Sequence, residues 1–415
     1  MAGPVCASIA ANDRFRLRGE DMMTRLLSAA LVLVWAGTAS AQSYFPPAGP
    51  ENWERVSPAE AGFDPAALEA VAAFAIAQET RNAPPLGEVV DARELTIMVP
   101  LQWAAEPYSD PVGPLADRGD PSGLIIRGGR IVAEWGEPER VDMTFSVTKS
   151  FLSHVVGLAI DDGLIGDVHA PVSAQVSDAR FHTGHNAPIT WDQLLRQTSG
   201  WWGELWGKPA WADRPGENAF DDLVAGPPAP GSAYEYNDVR VNALALAATH
   251  VFGRELPDVL RERIMDPIGA SDGWVWHGYH NSYAEVDGER LLSVSGGGHW
   301  GGGMFIDAYD MARFGLLGLH RGAWAGERLL AEAFFEAALA PGEHNAGYGY
   351  MNFFLNAPGT RAYSDAIPAN AYFHLGAGTN VIFISPDHDL VAVVRWIDGA
   401  AMQEFFTRLI AAIEE

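Results

Sequence analysis

Cysteine and lysine are almost absent from this sequence. Its 415 residues contain one cysteine, Cys6, and two lysines, Lys149 and Lys208. Because Cys6 precedes a predicted cleavage site, we expect a mature chain without disulfides and without thiol chemistry. Nearly all other positive charge comes from arginine, so the position of each lysine carries information.

Positive charge as a whole is in deficit. The formal net charge is -26 at pH 7. Nucleic acid and anionic membrane surfaces would repel such a chain, which excludes them as expected partners. A surface this acidic keeps a protein in solution but does not identify its substrate.

Long apolar runs are also missing, except near the amino terminus. Residues 26–35 are apolar, and the small residues Ala39-Ser40-Ala41 follow them. This pattern predicts a signal peptide over residues 1–41, cleaved before Gln42, and the run is too short for a stable membrane span. We therefore expect a periplasmic or secreted protein without a membrane anchor in its mature form.

The remaining residues, 42–415, are predicted to form one large α+β domain. Helices are expected over 59–79, 191–197, 239–250, 307–317, 329–339 and 402–413, and strands over 95–99, 123–127, 130–135, 372–374, 381–385 and 390–396. Strands near both ends indicate an antiparallel sheet flanked by helices and built from about 42–165 and 295–415. The stretch from about 166 to 294 is predicted to be an inserted all-helical subdomain.

One of the two lysines follows a serine by three positions, in Ser146-Val147-Thr148-Lys149. The next residues have helical apolar spacing up to Asp161-Asp162-Gly163, which favours a helix beginning near Ser146. On a helix the two residues share a face and lie about 4.5 Å apart along the axis, so the amine can reach the hydroxyl. The alternative is a core helix whose lysine extends outward to solvent.

Three further segments follow this motif in a fixed order: residues 189–200, 230–238 and 373–378. In order and spacing the set resembles the serine β-lactamase-related family, which includes class C β-lactamases, D,D-peptidases, esterases and 6-aminohexanoate-dimer hydrolases. The resemblance covers essentially the whole mature chain. It implies a β-lactamase/transpeptidase-like fold and an enzyme that works through an acylated serine.

The resemblance also implies roles for individual residues. Ser146 corresponds to the acylated nucleophile, Lys149 to its proton acceptor and Tyr236 to the tyrosine that passes a proton to the leaving group. The backbone N–H groups of Ser146 and Ala377 would form the oxyanion hole. Because a lysine and a tyrosine in contact titrate together, we assign the base to the pair rather than to either residue.

The substrate-binding positions depart from the family pattern. His374-Leu375-Gly376 stands where many lactamases carry Lys-Thr-Gly, so His374 and Gly376 are expected to contact the substrate. Many members carry Tyr-x-Asn, whereas Asp238 follows Tyr236 at that spacing here. Losing a fixed positive charge and gaining a carboxylate favours an uncharged ester or a small amide over a β-lactam or a D-Ala-D-Ala peptide.

Several interpretations stay open from the sequence. Trp201 and Trp202 either form an apolar wall of the cleft or pack within their own loop, and His374 is either a site residue or a histidine at a strand end. We expect no metal and no cofactor. The leading hypothesis is an exported serine hydrolase acting on a small-molecule ester or amide. The alternatives are a β-lactamase or D,D-carboxypeptidase, and a non-catalytic ligand-binding relative.

Overall fold

The computed structural model describes residues 43–80, 112–114, 118–212, 226–298, 302–360 and 364–414. The predicted signal peptide, the possible strand at 95–99 and the predicted start at Gln42 lie outside these ranges. The described residues belong to one unit, Ser43–Glu415. Within the described ranges, no helix is both long enough and apolar enough to cross a membrane.

Helices and strands are interspersed along the described chain. The helices are α1 (Pro65–Ala77), α2 (Thr148–Asp161), α3 (Trp191–Leu195), α4 (Asp238–Phe252), α5 (Leu256–Leu260), α6 (Ala308–Leu319), α7 (Glu332–Ala338) and α8 (Met402–Ala411). The strands are β1 (Ser122–Arg127), β2 (Arg130–Trp135), β3 (Asp142–Met143), β4 (Glu204–Leu205), β5 (Lys208–Pro209), β6 (Val275–Val286), β7 (Glu289–Val294), β8 (Gly303–Ile306), β9 (Ala323–Trp324), β10 (Glu327–Arg328), β11 (Phe353–Phe354), β12 (Tyr372–Gly376), β13 (Asn380–Ser385) and β14 (Leu390–Arg395).

The largest sheet joins the two ends of the described chain. Its strand order is β11-β12-β13-β14-β1-β2, and neighbouring strands are antiparallel. The predicted hairpin of β1 and β2 is present, and both turn residues, Gly128 and Gly129, have positive φ, as a tight two-residue turn requires. The sequence interpretation of an α+β chain with an antiparallel sheet from distant segments is confirmed.

Helices cover both faces of this sheet. One face packs against α1 and α8 through an apolar cluster that includes Leu68, Phe405 and Phe406. The other face packs against a larger cluster, which includes Phe151 of α2 and Phe314 of α6. Helix α1 begins later than predicted because Asp64 caps it and Pro65 occupies its first position.

The all-helical character expected for 166–294 is wrong. This stretch holds helices α3, α4 and α5, but it also contains the hairpin of β6 and β7. That hairpin belongs to a second sheet of order β3-β8-β6-β7. In β6, positions alternate between buried and exposed over much of the strand, which is the period of a sheet with one wet face. Its histidine, asparagine and glutamate residues weaken the apolar signal from which the prediction was made.

Helix α2 carries the Ser146 motif into the centre of the molecule. Most of its residues are buried, including Thr148 and Ser150, the two polar residues on either side of Lys149 in the sequence. It therefore has packed neighbours on all sides. A polar side chain on such a helix has to find its partners inside the protein.

Candidate active site

Ser146 lies in a short 3-10 turn, Phe145–Val147, that leads directly into α2. The residue before it, Phe145, has φ 50, a backbone conformation that costs a bulky residue about 1–3 kcal/mol. Its ring is buried and meets Trp396 edge-on at 6.5 Å. Packing of this ring therefore holds the strained turn and sets the direction of the Ser146 side chain.

Lys149 reaches Ser146 as its spacing predicts. Its Nζ lies 2.6 Å from Ser146 Oγ and donates to the Gly296 carbonyl oxygen at 3.1 Å. The lysine is 1% exposed, so it does not extend outward to solvent. A buried amine in hydrogen-bond contact with a serine hydroxyl is the arrangement that nucleophilic catalysis by serine requires.

Asp238 is the second charged group at this position. It is the first residue of α4 and is 4% exposed, and its Oδ1 lies 2.7 Å from Lys149 Nζ. The motif position of Asp238 predicts that it contacts the substrate. The structure instead pairs it with Lys149, because the start of α4 lies beside α2.

Tyr236 lies next to the same amine. The Lys149 Nζ is 5.1 Å from the centroid of the Tyr236 ring, and the tyrosine is half-buried. The structure thus brings Ser146, Lys149, Tyr236 and Asp238 together from α2 and from the loop before α4. An ammonium over an aromatic face is stabilised by the ring's charge distribution.

Gln197 holds the Tyr236 loop on both sides, and the sequence analysis did not single it out. Its carbonyl oxygen accepts from the Glu235 N–H at 2.9 Å, and its Oε1 accepts from the Asn237 N–H at 2.7 Å. Gln197 is fully buried and has φ 56. In the sequence, the only sign of this role is that Gln197 precedes Thr198-Ser199-Gly200. The sequence does not show that its side chain binds the backbone of the Tyr236 loop.

The end of β12 approaches the Ser146 turn closely. A Cβ at Gly376 would overlap the Thr144 carbonyl oxygen and would lie 3.0 Å from Ser146 N. Ala377 follows in a half-exposed turn, and its carbonyl oxygen accepts from Asn380 Nδ2 at 2.7 Å. Buried Arg395 donates in turn to Asn380 Oδ1 at 2.8 Å. This network fixes the peptide segment that the sequence analysis assigned to an oxyanion hole.

A glycine-rich segment, Gly296-Gly297-Gly298, packs against the Ser146 turn and Asp238. Gly297, at φ 86, lies so close to the Phe145 carbonyl oxygen that a Cβ would overlap it, and Gly298 lies against Asp238. The Gly296 N–H donates to Asn242 Oδ1 at 2.8 Å, which holds the carbonyl that Lys149 contacts.

Comparison with known proteins decides the family. A model of the family described as Beta-lactamase matches residues 122–398, which span the Ser146 motif, the Tyr236 loop and β12. The chain belongs to the β-lactamase family. It has a β-lactamase/transpeptidase-like fold, as the resemblance implied.

Individual relatives are distant. A 6-aminohexanoate-dimer hydrolase of Paenarthrobacter ureafaciens is 25% identical over 267 residues, which are 57% of this chain and 62% of that protein. The crystal structure of a putative beta-lactamase from Bacteroides dorei DSM 17855 has 15% identity and a TM-score of 0.52, covering 75% of this chain and 96% of that one. A crystal structure of SurE with D-Leu has 18% identity and a TM-score of 0.51, covering 84% and 75%.

His374 does not stand at the substrate side in this β-lactamase-family protein. It is 2% exposed, and its ring lies among His154, Phe314 and Tyr372. Neither ring nitrogen has a hydrogen-bond partner within the described ranges. Burial, with the nearby His154, holds the pKa of His374 well below its usual value. The substrate-binding role expected for His374 is therefore corrected: alternation along β12 turns this side chain into the core.

The two tryptophans are also not the wall that the sequence analysis considered. Trp201 is fully buried in the large apolar cluster, so it is a core residue. Trp202 is half-buried against the same cluster, and its backbone N–H and carbonyl oxygen both pair with the Asn186 side-chain amide, at 3.0 and 2.7 Å. Loop packing, the alternative left open, describes both residues.

Proposed function

We propose that the protein hydrolyses a small ester or amide through an acyl-enzyme on Ser146. The observation that carries this proposal is the 2.6 Å contact between Lys149 Nζ and Ser146 Oγ inside a buried site. Membership of the β-lactamase family supports it. A serine hydroxyl without such a neighbour would be a weak nucleophile near neutral pH.

The site residues account for each step of acylation and of hydrolysis of the acyl-enzyme. In the form of the site in which the Lys149 and Tyr236 pair has lost one proton, Ser146 Oγ bonds to the substrate carbonyl carbon while the hydroxyl proton passes to that pair. The carbonyl oxygen becomes an oxyanion that the backbone N–H groups of Ser146 and Ala377 stabilise, each lowering the barrier by about 3 kcal/mol. The bond to the alcohol or amine then breaks, and that leaving group takes the proton. Water cleaves the acyl-enzyme by the same steps in reverse.

Asp238 changes the proton chemistry of this site. A carboxylate 2.7 Å from Lys149 Nζ favours the ammonium form of the lysine in the resting enzyme. Lys149, Tyr236 and Asp238 therefore act as one coupled set, which has to lose one proton before it can accept the proton of Ser146. The 5.1 Å approach of Lys149 Nζ to the Tyr236 ring supports this coupling.

Charge at the site favours a neutral substrate. The Lys149 charge is paired with Asp238, and the histidine at the Lys-Thr-Gly position is buried and uncharged near pH 7. Neither group offers a substrate carboxylate the fixed positive charge that a β-lactam or a peptide stem needs. The relative named 6-aminohexanoate-dimer hydrolase supports keeping a small amide beside the ester as a candidate.

Variants of the three proposed catalytic residues test the mechanism. Ser146→Ala and Lys149→Ala should abolish hydrolysis of p-nitrophenyl acetate, and Tyr236→Phe should slow it at least about 100-fold. Thermal unfolding should change little in Ser146→Ala and Tyr236→Phe, whereas Lys149→Ala should unfold at a lower temperature because it leaves the Asp238 carboxylate buried without its partner. Ser153→Ala, which alters a buried serine on the same helix, is the matched control and should retain activity. Near-normal turnover by Ser146→Ala or Lys149→Ala would refute the assignment.

Family membership supports one other catalytic function, that of a β-lactamase or D,D-carboxypeptidase. Turnover of nitrocefin or of a D-Ala-D-Ala peptide at rates above those of simple esters would favour it. Rapid ester cleavage without either activity would decide for the ester or amide hydrolase. A non-catalytic ligand-binding role predicts that the protein binds one of these compounds and hydrolyses none of them.

We also propose that the mature enzyme is exported after cleavage between Ala41 and Gln42, on the basis of the apolar run and the small residues before it. The amino-terminal sequence of the protein recovered from the periplasm or the medium tests this. A mature protein that still carries residues 1–41 would contradict it.

A further inference from the structure

Five aromatic rings form a continuous wall beside the proposed catalytic tyrosine. The aromatic wall consists of Tyr234, Tyr236, Tyr348, Phe353 and Phe373. Tyr348 meets Tyr234 at 5.2 Å, Tyr236 at 6.2 Å and Phe353 at 4.9 Å, measured between ring centroids. Phe353 also lies 6.4 Å from Tyr236 and 5.4 Å from Phe373, with interplanar angles of 30° and 25°.

The members of the aromatic wall differ in exposure. Tyr348 and Phe373 are 1% and 4% exposed and anchor the wall to the protein. Tyr234, Tyr236 and Phe353 are half-buried, so part of each residue remains open to solvent or to a ligand. A rigid aromatic surface of this kind offers a large apolar area at little cost in side-chain entropy.

The wall begins at the nucleophile. Tyr236 touches the Lys149 ammonium, and Lys149 touches Ser146. Phe353 belongs to the edge strand β11 and pairs with Phe373, three residues before Gly376 at the Ser146 turn. Three residues of a strand span about 10 Å, so Phe373 lies about that far from Gly376 along β12. A substrate in which a few bonds join an aryl group to the scissile carbonyl can span this distance.

We propose that the aromatic wall is a substrate-recognition site, and that it selects esters or amides carrying an aryl group within a few bonds of the scissile carbonyl. This inference rests on the proposed function, which it narrows to a substrate class. Phe353 and Tyr234 are its specificity-determining residues, because they are half-buried members of the wall and have no part in the proposed proton transfers. The wall takes the place of the tryptophan wall that the sequence suggested.

Two matched pairs of substrates test the proposal on the intact mature protein. Vinyl phenylacetate against vinyl acetate varies the acyl side, and benzyl acetate against ethyl acetate varies the alcohol side. For at least one pair, wild-type kcat/KM should favour the aryl member, and Phe353→Ala should reduce that preference about tenfold. Hydrolysis of the alkyl member should fall less than hydrolysis of the aryl member.

Further variants control for folding and for general effects. Phe353→Leu keeps an apolar side chain on β11 and should lose aryl preference while its thermal unfolding stays near that of wild type. Tyr234→Ala should reduce the preference in the same direction. Phe74→Ala removes a half-buried phenylalanine on α1, where it contacts Arg408 at 4.3 Å, and should leave both ratios unchanged.

Failure of this proposal is distinguishable from failure of the proposed function. If wild type cleaves both members of each pair and the ratios are equal in wild type, Phe353→Leu and Tyr234→Ala, the aromatic wall does not select the substrate. If wild type cleaves none of the four esters and Ser146 is not labelled by a methyl or a benzyl phosphonate, the proposed function fails and this inference fails with it.

Discussion

At the scale of single residues, Asp238 separates this site from the Tyr-x-Asn pattern of many relatives. An amide at that position would be neutral, whereas the carboxylate pairs with Lys149 at 2.7 Å. The pair neutralises the charge that Lys149 would otherwise present to a substrate. Asp238 also keeps the lysine protonated to higher pH than a neutral neighbour would.

Asp238→Asn tests this charge effect directly. Without the carboxylate, Lys149 should lose its proton more readily, so the acid limb of the kcat/KM profile should move about one pH unit lower. The variant should fold, because an asparagine occupies this place in many relatives. Asp266→Asn alters a carboxylate outside the site and should leave the profile in place. An acid limb that does not move in Asp238→Asn would mean that the pair does not set the working protonation state.

At the scale of elements, the site depends on how three segments meet. The turn at the start of α2 supplies Ser146 and α2 itself supplies Lys149. The loop before α4 supplies Tyr236, and the end of β12 supplies Gly376 and the following turn. The first of these was readable from the sequence, because three residues on one helix fix their own geometry. The other two come from segments far apart in the chain, and only the resemblance to a family connected them to Ser146.

The Gln197 contacts predict that loop position controls catalysis. Gln197→Ala removes the acceptor of the Asn237 N–H, so Tyr236 should shift and kcat should fall about 100-fold. Gln197→Glu keeps an acceptor oxygen at the same place and should retain more activity, although it cannot donate to Tyr348. Equal kcat values for wild type and Gln197→Ala would show that the backbone contacts alone position the loop.

The expectations for His374 and Trp201 show where sequence reasoning stops at this scale. A motif position indicates which strand approaches the site, but the side chain's direction depends on the register of that strand. His374 pairs across the sheet with Ile382 and points toward α2 and α6, not toward Tyr236. Trp201 lies in a loop, and the burial of its ring depends on helices from other parts of the chain.

At the scale of the whole molecule, the sheet formed by both ends of the chain was predictable and the second sheet was not. Strands β1, β2, β13 and β14 are short β-branched runs with clear turn signals. Strand β6 carries polar residues and lies within a region rich in helices, so its alternation was overlooked. The class and the order of most elements follow from local pattern, whereas the assembly of the site follows from tertiary contacts.

Two buried histidines, His154 on α2 and His374 on β12, give the folded protein a predicted acid sensitivity. Burial lowers the pKa of His154 to about 4 and lowers that of His374 well below 6.5. In the unfolded chain both bind protons below about pH 6.5. The unfolded state therefore binds more protons, and the stability that these groups contribute is full above pH 6.5 and is lost as pH falls toward the folded pKa values.

His374→Leu should remove part of this dependence. Between about pH 6 and pH 4.5, the free energy of unfolding of wild type should fall more steeply, by roughly 1.4 kcal/mol per pH unit for one proton. Urea unfolding at several pH values measures this slope. His169→Leu, at an exposed position, is the control and should keep the wild-type slope. Identical slopes in wild type and His374→Leu would contradict the account of a neutral buried imidazole.

The acyl-enzyme on Ser146 is tested most directly by the mass of the protein after reaction with a phosphonyl probe, followed by mapping of the modified peptide. We predict a gain of one phosphonyl group, located at Ser146, in wild type and in Ser153→Ala, and no gain in Ser146→Ala. A folded wild-type protein that gains no mass, or that is modified at another residue while Ser146 stays unmodified, would contradict the central claim.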